Sequence, residues 1–311
     1  MSAATGQTAA LYEGRPIDIM HAQGPGKAMT VCLDRIDQVR RAVREARGRG
    51  QKIGLVPTMG ALHEGHASLI RAARGETGLV VVSIFVNPAQ FGTGEDFMRY
   101  PRPLEKDMEV CRREGVDVVF TPSAAEMYPD GFATSVRVAG LSEKMCGAFR
   151  PGHFDGVSTV VAKLFAIVQP DAAYFGEKDA QQLAIVRRMA ADLDLPVEIR
   201  GCPLVREPDG LAMSSRNAYL SADERRRALA LGAALAEARL AIAAGEREAA
   251  KVAGAVRRRL EAAPGVELQY VAVVDPDTLA DLERIADKVL VAAAAKVGRT
   301  RLIDNVLLRG L

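Results

Sequence analysis

Two histidines three residues apart, His63 and His66, sit in the run PTMGALHEGH at 57–66. The apolar stretch Ile53-Gly54-Leu55-Val56 before them reads as a strand, and 67–74 after them reads as a helix. A helix start exposes unpaired backbone N–H groups and the positive end of the helix dipole, so it draws anions. Imidazoles placed there can donate to an oxygen, or protonate it, near neutral pH. The pattern therefore suits phosphate chemistry. Gly60 and Gly65 let the backbone come close to a ligand. The bland alternative is a helix start with one histidine capping and one packing. It accounts poorly for two of the chain's four histidines meeting at one strand-to-helix turn. A zinc-protease reading fails, because that chemistry wants histidines four apart on a helix with Glu between them.

Three further clusters could carry chemistry, and those at 87–90 and 176–179 fall just after predicted strands. In Gly176-Glu177-Lys178-Asp179 the lysine can set an ammonium against a phosphate, while Asp179 caps the next helix or holds Mg²⁺. Gln181 and Gln182, in the first turn of that helix, suit a carboxylate or hydroxyl ligand, with an exposed helix face as the plain alternative. Met213-Ser214-Ser215-Arg216-Asn217 offers two hydroxyls and a guanidinium able to wrap a triphosphate. Asn87 to Gln90 lies past the almost continuous apolar run 79–86, a place suited to substrate specificity. His153, in Gly152-His153-Phe154-Asp155-Gly156, reads as a structural or pocket-lining residue rather than a base. Glycines at 92, 94 and within 147–156 suit lid hinges.

The elements that must position these clusters alternate. Strand patterns at 53–56, 79–86, 116–120, 172–175 and 197–200 alternate with helix patterns at 39–49, 67–74, 104–114, 156–168 and 179–193. Such βαβ order implies a parallel α/β sheet with ligands beyond the carboxyl ends of its strands. After residue 213 the texture changes to Ala/Arg/Glu-rich helices at 221–244 and 246–263, with Ser221 as an N-cap, and then to strand patterns at 268–274, 289–295 and 300–307. The reading is a Rossmann-like parallel sheet flanked by helices over 29–204 and a smaller α+β domain over 205–311, with 1–28 a disordered extension. Met20 or Met29 serves equally well as a start.

Length and composition narrow the function classes. The chain has 311 residues, 49% of them hydrophobic, and 41 basic against 39 acidic side chains for a net of +2. That balance gives no general reason to expect nucleic acid or an anionic membrane as partner. Four scattered cysteines carry no Cys-x-x-Cys pair and fit a reducing cytoplasm. No stretch is long and apolar enough for a membrane span.

Taken together, the chain resembles the pantothenate synthetase (pantoate–β-alanine ligase) family from about 29 to 308. Seven segments carry the likeness in order: PTMGALHEGH at 57–66, FVNPAQF at 85–91, YPR at 100–102, GHFDGV at 152–157, YFGEKDAQQ at 174–182, VREPDGLAMSSRN at 205–217 and TRLIDN at 300–305. The histidine motif also resembles that of the wider nucleotidyltransferase superfamily. The resemblance implies ATP-dependent joining of pantoate to β-alanine through pantoyl adenylate, in a cytoplasmic homodimer. It implies ATP contacts at Met59, Gly60, Ala61, Leu62, His63, Glu64, Gly65, His66, Gly176, Glu177, Lys178, Asp179, Val205, Met213, Ser214, Ser215 and Arg216. His66 stands as proton donor, with His63 and Lys178 on the phosphates. Gln90 and Gln182 are implied for pantoate, Gln90 also for β-alanine, with the C-terminal domain closing over ATP. No protein metal site is expected, and Mg²⁺ arrives with ATP. The competing readings are a nucleotidylyltransferase moving AMP or CMP, a tRNA synthetase, and a non-catalytic nucleotide sensor.

Overall fold

The computed structural model describes residues 29–311. The expected extension over 1–28 lies outside the described residues. Six parallel strands form the larger sheet: β1 (Val31–Leu33), β2 (Ile53–Thr58), β3 (Leu79–Ile84), β4 (Val118–Phe120), β5 (Ala172–Gly176) and β6 (Glu198–Cys202), in the order β1-β4-β3-β2-β5-β6. The helices between them are α1 (Ile36–Gly48), α2 (Glu64–Glu76), α3 (Leu104–Arg113), the single turns α4 (Ala124–Met127) and α5 (Cys146–Phe149), α6 (His153–Val168) and α7 (Ala180–Asp192).

Strand alternation sorts the apolar residues into two layers. Ile53 and Leu55 of β2, with Leu79 and Val81 of β3, pack among residues of α1, α6 and α7. Val56, Val80 and Val82 pack among residues of α2 and α3 on the opposite face. That double burial is why β3 reads as an unbroken apolar run. The chain moves outward from β2 through β3 to β4, then returns to place β5 on the other side of β2. The loops after β2 and β5 therefore diverge at a topological switch point, where open α/β sheets bind ligands.

The C-terminal part begins with α8 (Ala222–Ala243) and α9 (Ala249–Glu261), then an antiparallel sheet of β7 (Val266–Val274), β8 (Lys288–Val297) and β9 (Thr300–Arg309). Ser221 caps α8 as read from sequence: its hydroxyl accepts the Glu224 N–H at 3.2 Å, and its own N–H donates to the Glu224 carboxylate at 2.9 Å. Along β8, Val289, Val291, Ala293 and Ala295 pack with α8 and α9, whereas Leu290 and Ala292 join the core beneath the larger sheet. Among the described residues no helix is long and apolar enough to cross a membrane.

Two differences from the sequence reading bear on the site. Helix α6 starts at His153 rather than 156, because Gly152 adopts a left-handed φ of 79° and starts the helix early. Gly156 is then inside α6, and a Cβ there would lie 2.2 Å from the Ala89 carbonyl oxygen. Glycine thus lets α6 press onto the turn that carries Gln90. The edge strand β1 and the turns α4 and α5, three or four residues each, are too short to show a period in the sequence.

Candidate active site

The histidine motif forms the turn from β2 into α2. His63 precedes the helix, and its main-chain N–H donates to Nδ1 of His66 at 3.3 Å. A ring nitrogen that accepts carries no proton, so neutral His66 holds its proton on Nε2. The two rings lie 4.1 Å apart between centroids. Gly65 makes this stacking possible, since a Cβ there would stand 2.9 Å from the His63 ring. Burial, followed by the Lys178 ammonium, lowers the His63 pKa to about 4. Burial, then His63, then Lys178, push His66 well below the ordinary histidine range. Both rings are therefore neutral at pH 7, each with one ring N–H to donate. His63 Nδ1 is buried without a partner.

Asp107, 1% exposed on α3, fixes the loop ahead of this turn. Its carboxylate accepts the N–H groups of Ala61 at 2.9 Å and Leu62 at 2.7 Å. Those N–H groups are thereby committed to the protein. The loop turns through left-handed residues at Gly60 (φ 84°) and Ala61 (φ 50°).

Lys178 follows β5, with its ammonium 3.7 Å from Asp179. Asp179 does not cap α7: it precedes the helix, but its carboxylate accepts no helix N–H. The Gln181 side chain is committed to the protein. Its amide donates to the carbonyls of Leu141 and Lys144 at 2.9 and 2.8 Å and accepts the Cys146 N–H at 2.9 Å. It pins the loop ahead of α6, while Gln182 faces the cleft.

From the C-terminal side, a hairpin pairing Arg206 with Ala212 delivers Met213 to Arg216. Ser215 donates to the Ala61 carbonyl at 3.3 Å, tying this loop to the histidine turn. Arg216 forms a two-pronged pair with Asp96 at 2.8 and 2.9 Å, its guanidinium 5.6 Å from the centre of the Tyr100 ring. The neighbouring Glu95 holds Arg150 through Nε at 2.7 Å.

The two histidines, Lys178, Gln182 and the 213–216 loop border a cavity of about 220 Å³. Its lining combines the apolar side chains of Phe85, Val157, Val160, Val161, Leu164 and Phe175 with Gln90, Gln182, His63 and His66. The Gln90 amide has a defined polarity. Asn87 accepts the Ala89 N–H at 3.2 Å and donates to the Gly156 carbonyl at 3.1 Å, and neither main-chain group can reverse its role. Asn87 Nδ2 therefore also donates to Gln90 Oε1, at 3.1 Å, and the Gln90 NH₂ is turned toward Met59 and the cavity. A ligand atom at Gln90 must be an acceptor. A second chamber of about 350 Å³ adjoins the first across Arg150, Lys178, Gln182 and Arg216.

A family model described as Pantoate-beta-alanine ligase matches residues 31–307. The chain belongs to the pantoate-beta-alanine ligase family. It is 58% identical over 276 residues to a pantothenate synthetase of Moorella thermoacetica, covering 89% of this chain and 98% of that one. A crystal structure of the pantothenate synthetase from Thermus thermophilus superposes with a TM-score of 0.85 at 48% identity, covering 89% and 99%. That of the Francisella tularensis pantoate-beta-alanine ligase, complexed with beta-gamma ATP and beta-alanine, gives 0.72 at 34% identity, covering 90% and 98%.

Within this ligase framework, Met59, His63, Gly65, His66, Gly176, Lys178, Asp179, Val205, Met213, Ser214, Ser215 and Arg216 line the first cavity together with Gln90 and Gln182. Gly60, Ala61, Leu62, Glu64 and Glu177 do not border it. Glu64 instead pairs with Arg71, and Glu177 with Arg309 at 3.2 Å. Sequence reasoning missed Asp107, although it sits in phase with the apolar stripe of Leu104, Met108 and Cys111, where a carboxylate has no solvent reason to be. It also missed Asp96 and Tyr100, which hold Arg216. Among the described residues, no group of three or more His, Cys, Asp or Glu could hold a metal ion.

Proposed function

We propose that this cleft condenses (R)-pantoate with β-alanine, consuming ATP and giving pantothenate, AMP and diphosphate through pantoyl adenylate. The single observation carrying the reading is the meeting, around one cavity, of two neutral histidines, Lys178, the 214–216 loop, an apolar wall, Gln90 and Gln182. The apolar wall suits the dimethyl carbon of pantoate. The outward NH₂ of Gln90 suits its carboxylate or hydroxyl oxygens.

In the first step the pantoate carboxylate attacks the α-phosphorus of ATP and diphosphate leaves. Charge grows on phosphoryl and leaving oxygens, so fixed donors and cations aimed there lower the barrier. His66 offers Nε2–H, His63 its ring N–H, and Lys178, Ser214 and Ser215 add an ammonium and two hydroxyls. Arg216 joins once the phosphates displace Asp96 from it. In the second step the free amine of β-alanine attacks the acyl carbon, AMP leaves, and the amine loses a proton. Mg²⁺ would come with the triphosphate. The part over 205–311 forms the roof of the ATP site. A cytoplasmic homodimer fits the family resemblance, and four free thiols fit a reducing compartment.

Pantoate-dependent exchange of labelled diphosphate into ATP without β-alanine, followed by amide formation on its addition, tests this reading, with the product identified by mass. Transfer of AMP to a stable end product, or no exchange, overturns it.

A further inference from the structure

The segment TRLIDN on β9 supplies no group to the chemistry above, yet it ends on two consecutive buried polar side chains. Asp304 is 3% exposed and Asn305 is 5% exposed. Consecutive strand residues point to opposite faces, so the two serve different partners.

The Asn305 NH₂ donates to two main-chain carbonyls of the loop after β5, Glu177 and Lys178, each at 2.9 Å. Both partners only accept, so the amide orientation is fixed and both of its protons are used. Asp304 receives Arg206 in a two-pronged pair at 2.7 and 2.9 Å. Arg206 begins the hairpin that ends in the 213–216 loop, and it also donates to the Gly210 carbonyl at 3.0 Å within that hairpin. The Asn305 N–H closes onto Asp304 Oδ1 at 2.7 Å, joining the two branches.

We propose that Asp304 and Asn305 are positioning residues that set Lys178 and the serine–arginine loop in register from one point on β9. The two loops come from separate parts of the chain, and these adjacent side chains tie both to one point on β9. Both residues border the second chamber but not the cavity that holds the histidines: Asn305 acts through the Lys178 main chain, and Asp304 through Arg206. The inference rests on Lys178 facing the phosphates, as proposed above.

The test uses the full-length protein and diphosphate exchange at varied ATP. Asn305→Ala is expected to lower kcat/KM for ATP by about 10²-fold, the scale of a displacement of roughly 1 Å in a catalytic group. KM for β-alanine is expected to hold, and the double variant with Lys178→Ala to be no worse than Lys178→Ala alone. Asn305→Asp keeps the shape but turns a carboxylate toward two carbonyls. Its exchange is expected to fall further at pH 8 and to recover partly toward pH 5.5, as a protonated oxygen regains one donor. A merely structural role would lower the melting temperature with no such pH recovery and would add to the loss from Lys178→Ala. Wild-type kcat/KM for ATP in folded Asn305→Ala, or full additivity with Lys178→Ala, overturns the inference. Full exchange in Lys178→Ala overturns instead the reading of Lys178 itself.

Discussion

His63 and His66 are joined by a hydrogen bond from the His63 main chain to the His66 ring, 3.3 Å long, which decides which nitrogen of His66 carries the proton. The turn thus presents an Nε2–H donor of fixed direction beside the Lys178 ammonium.

Removing that donor isolates its contribution. His66→Ala is expected to lower turnover by roughly 10²–10³, the loss typical of one transition-state donor. Its circular dichroism spectrum should match that of the parent. Parent-like turnover in the purified variant would remove His66 from the mechanism.

Acid should loosen the fold through the buried histidines. Burial, followed by Lys178 for His63 and by Arg150 for His153, lowers both to about 4 from the ordinary histidine value of 6.5. His153 has a visible reason: Nδ1 donates to the Gln90 carbonyl at 2.8 Å, which leaves Nε2 to accept from Arg150 at 3.1 Å. A second proton would face a donor. The unfolded chain therefore binds protons that the folded one refuses. This share of the stability is complete above about pH 6.5 and is lost as pH falls toward 4. Urea midpoints at pH 7, 6 and 5 should decline in the parent and decline less in His153→Gln. Equal slopes would exclude His153 as a contributor.

Gly156→Ala should separate α6 from the turn at 88–90, since the new methyl meets the Ala89 carbonyl. Overpacking of this kind costs about 1–3 kcal/mol, which denaturant titration would register. The same shift withdraws the Gly156 carbonyl from Asn87 and frees the Gln90 amide to turn. KM for pantoate is expected to rise about tenfold, with a smaller change for ATP. An unchanged pantoate KM would mean that Gln90 holds its pose without α6.

Asp96 occupies the guanidinium that a phosphate would take. Asp96→Asn should weaken the folded state by about 1 kcal/mol, the scale of a partly exposed ion pair. It should also tighten ATP binding severalfold in calorimetric titration, because Arg216 no longer has to exchange one anion for another. Weaker ATP binding would show that Asp96 presents Arg216 instead of competing for it.

Legibility in the sequence followed the range of the contacts. The run at 79–86, the stop of α6 at Gln169-Pro170 and the cap at Ser221 are local patterns, and each appears in the fold. The residues proposed to meet phosphates stood out as a set: the lysine turn and the Ser-Ser-Arg run are ordinary alone and gain meaning only beside the histidine pair. What holds them was not readable. Asp107 reaches the histidine loop across 46 residues in sequence, and Asn305 reaches Glu177 across 128. Nothing near either residue marks its partner. Gln181 misled for the same reason: beside Gln182 it has the chemistry of a ligand, and only the distant carbonyls of Leu141 and Lys144 show that it is committed elsewhere.

The alternating allegiance of β8 has a practical corollary for anyone dissecting this chain. Leu290 and Ala292 belong to the core under the larger sheet, and their strand neighbours to the core under α8 and α9. A fragment ending near 204 would bare the surface those two side chains cover, and the remainder would bare one face of a three-stranded ribbon. Each piece would carry a sticky apolar patch into solution. Truncation would yield aggregates in place of separable modules, and recombination between homologous genes should tolerate crossovers poorly where they divide β8 from the helices on either side.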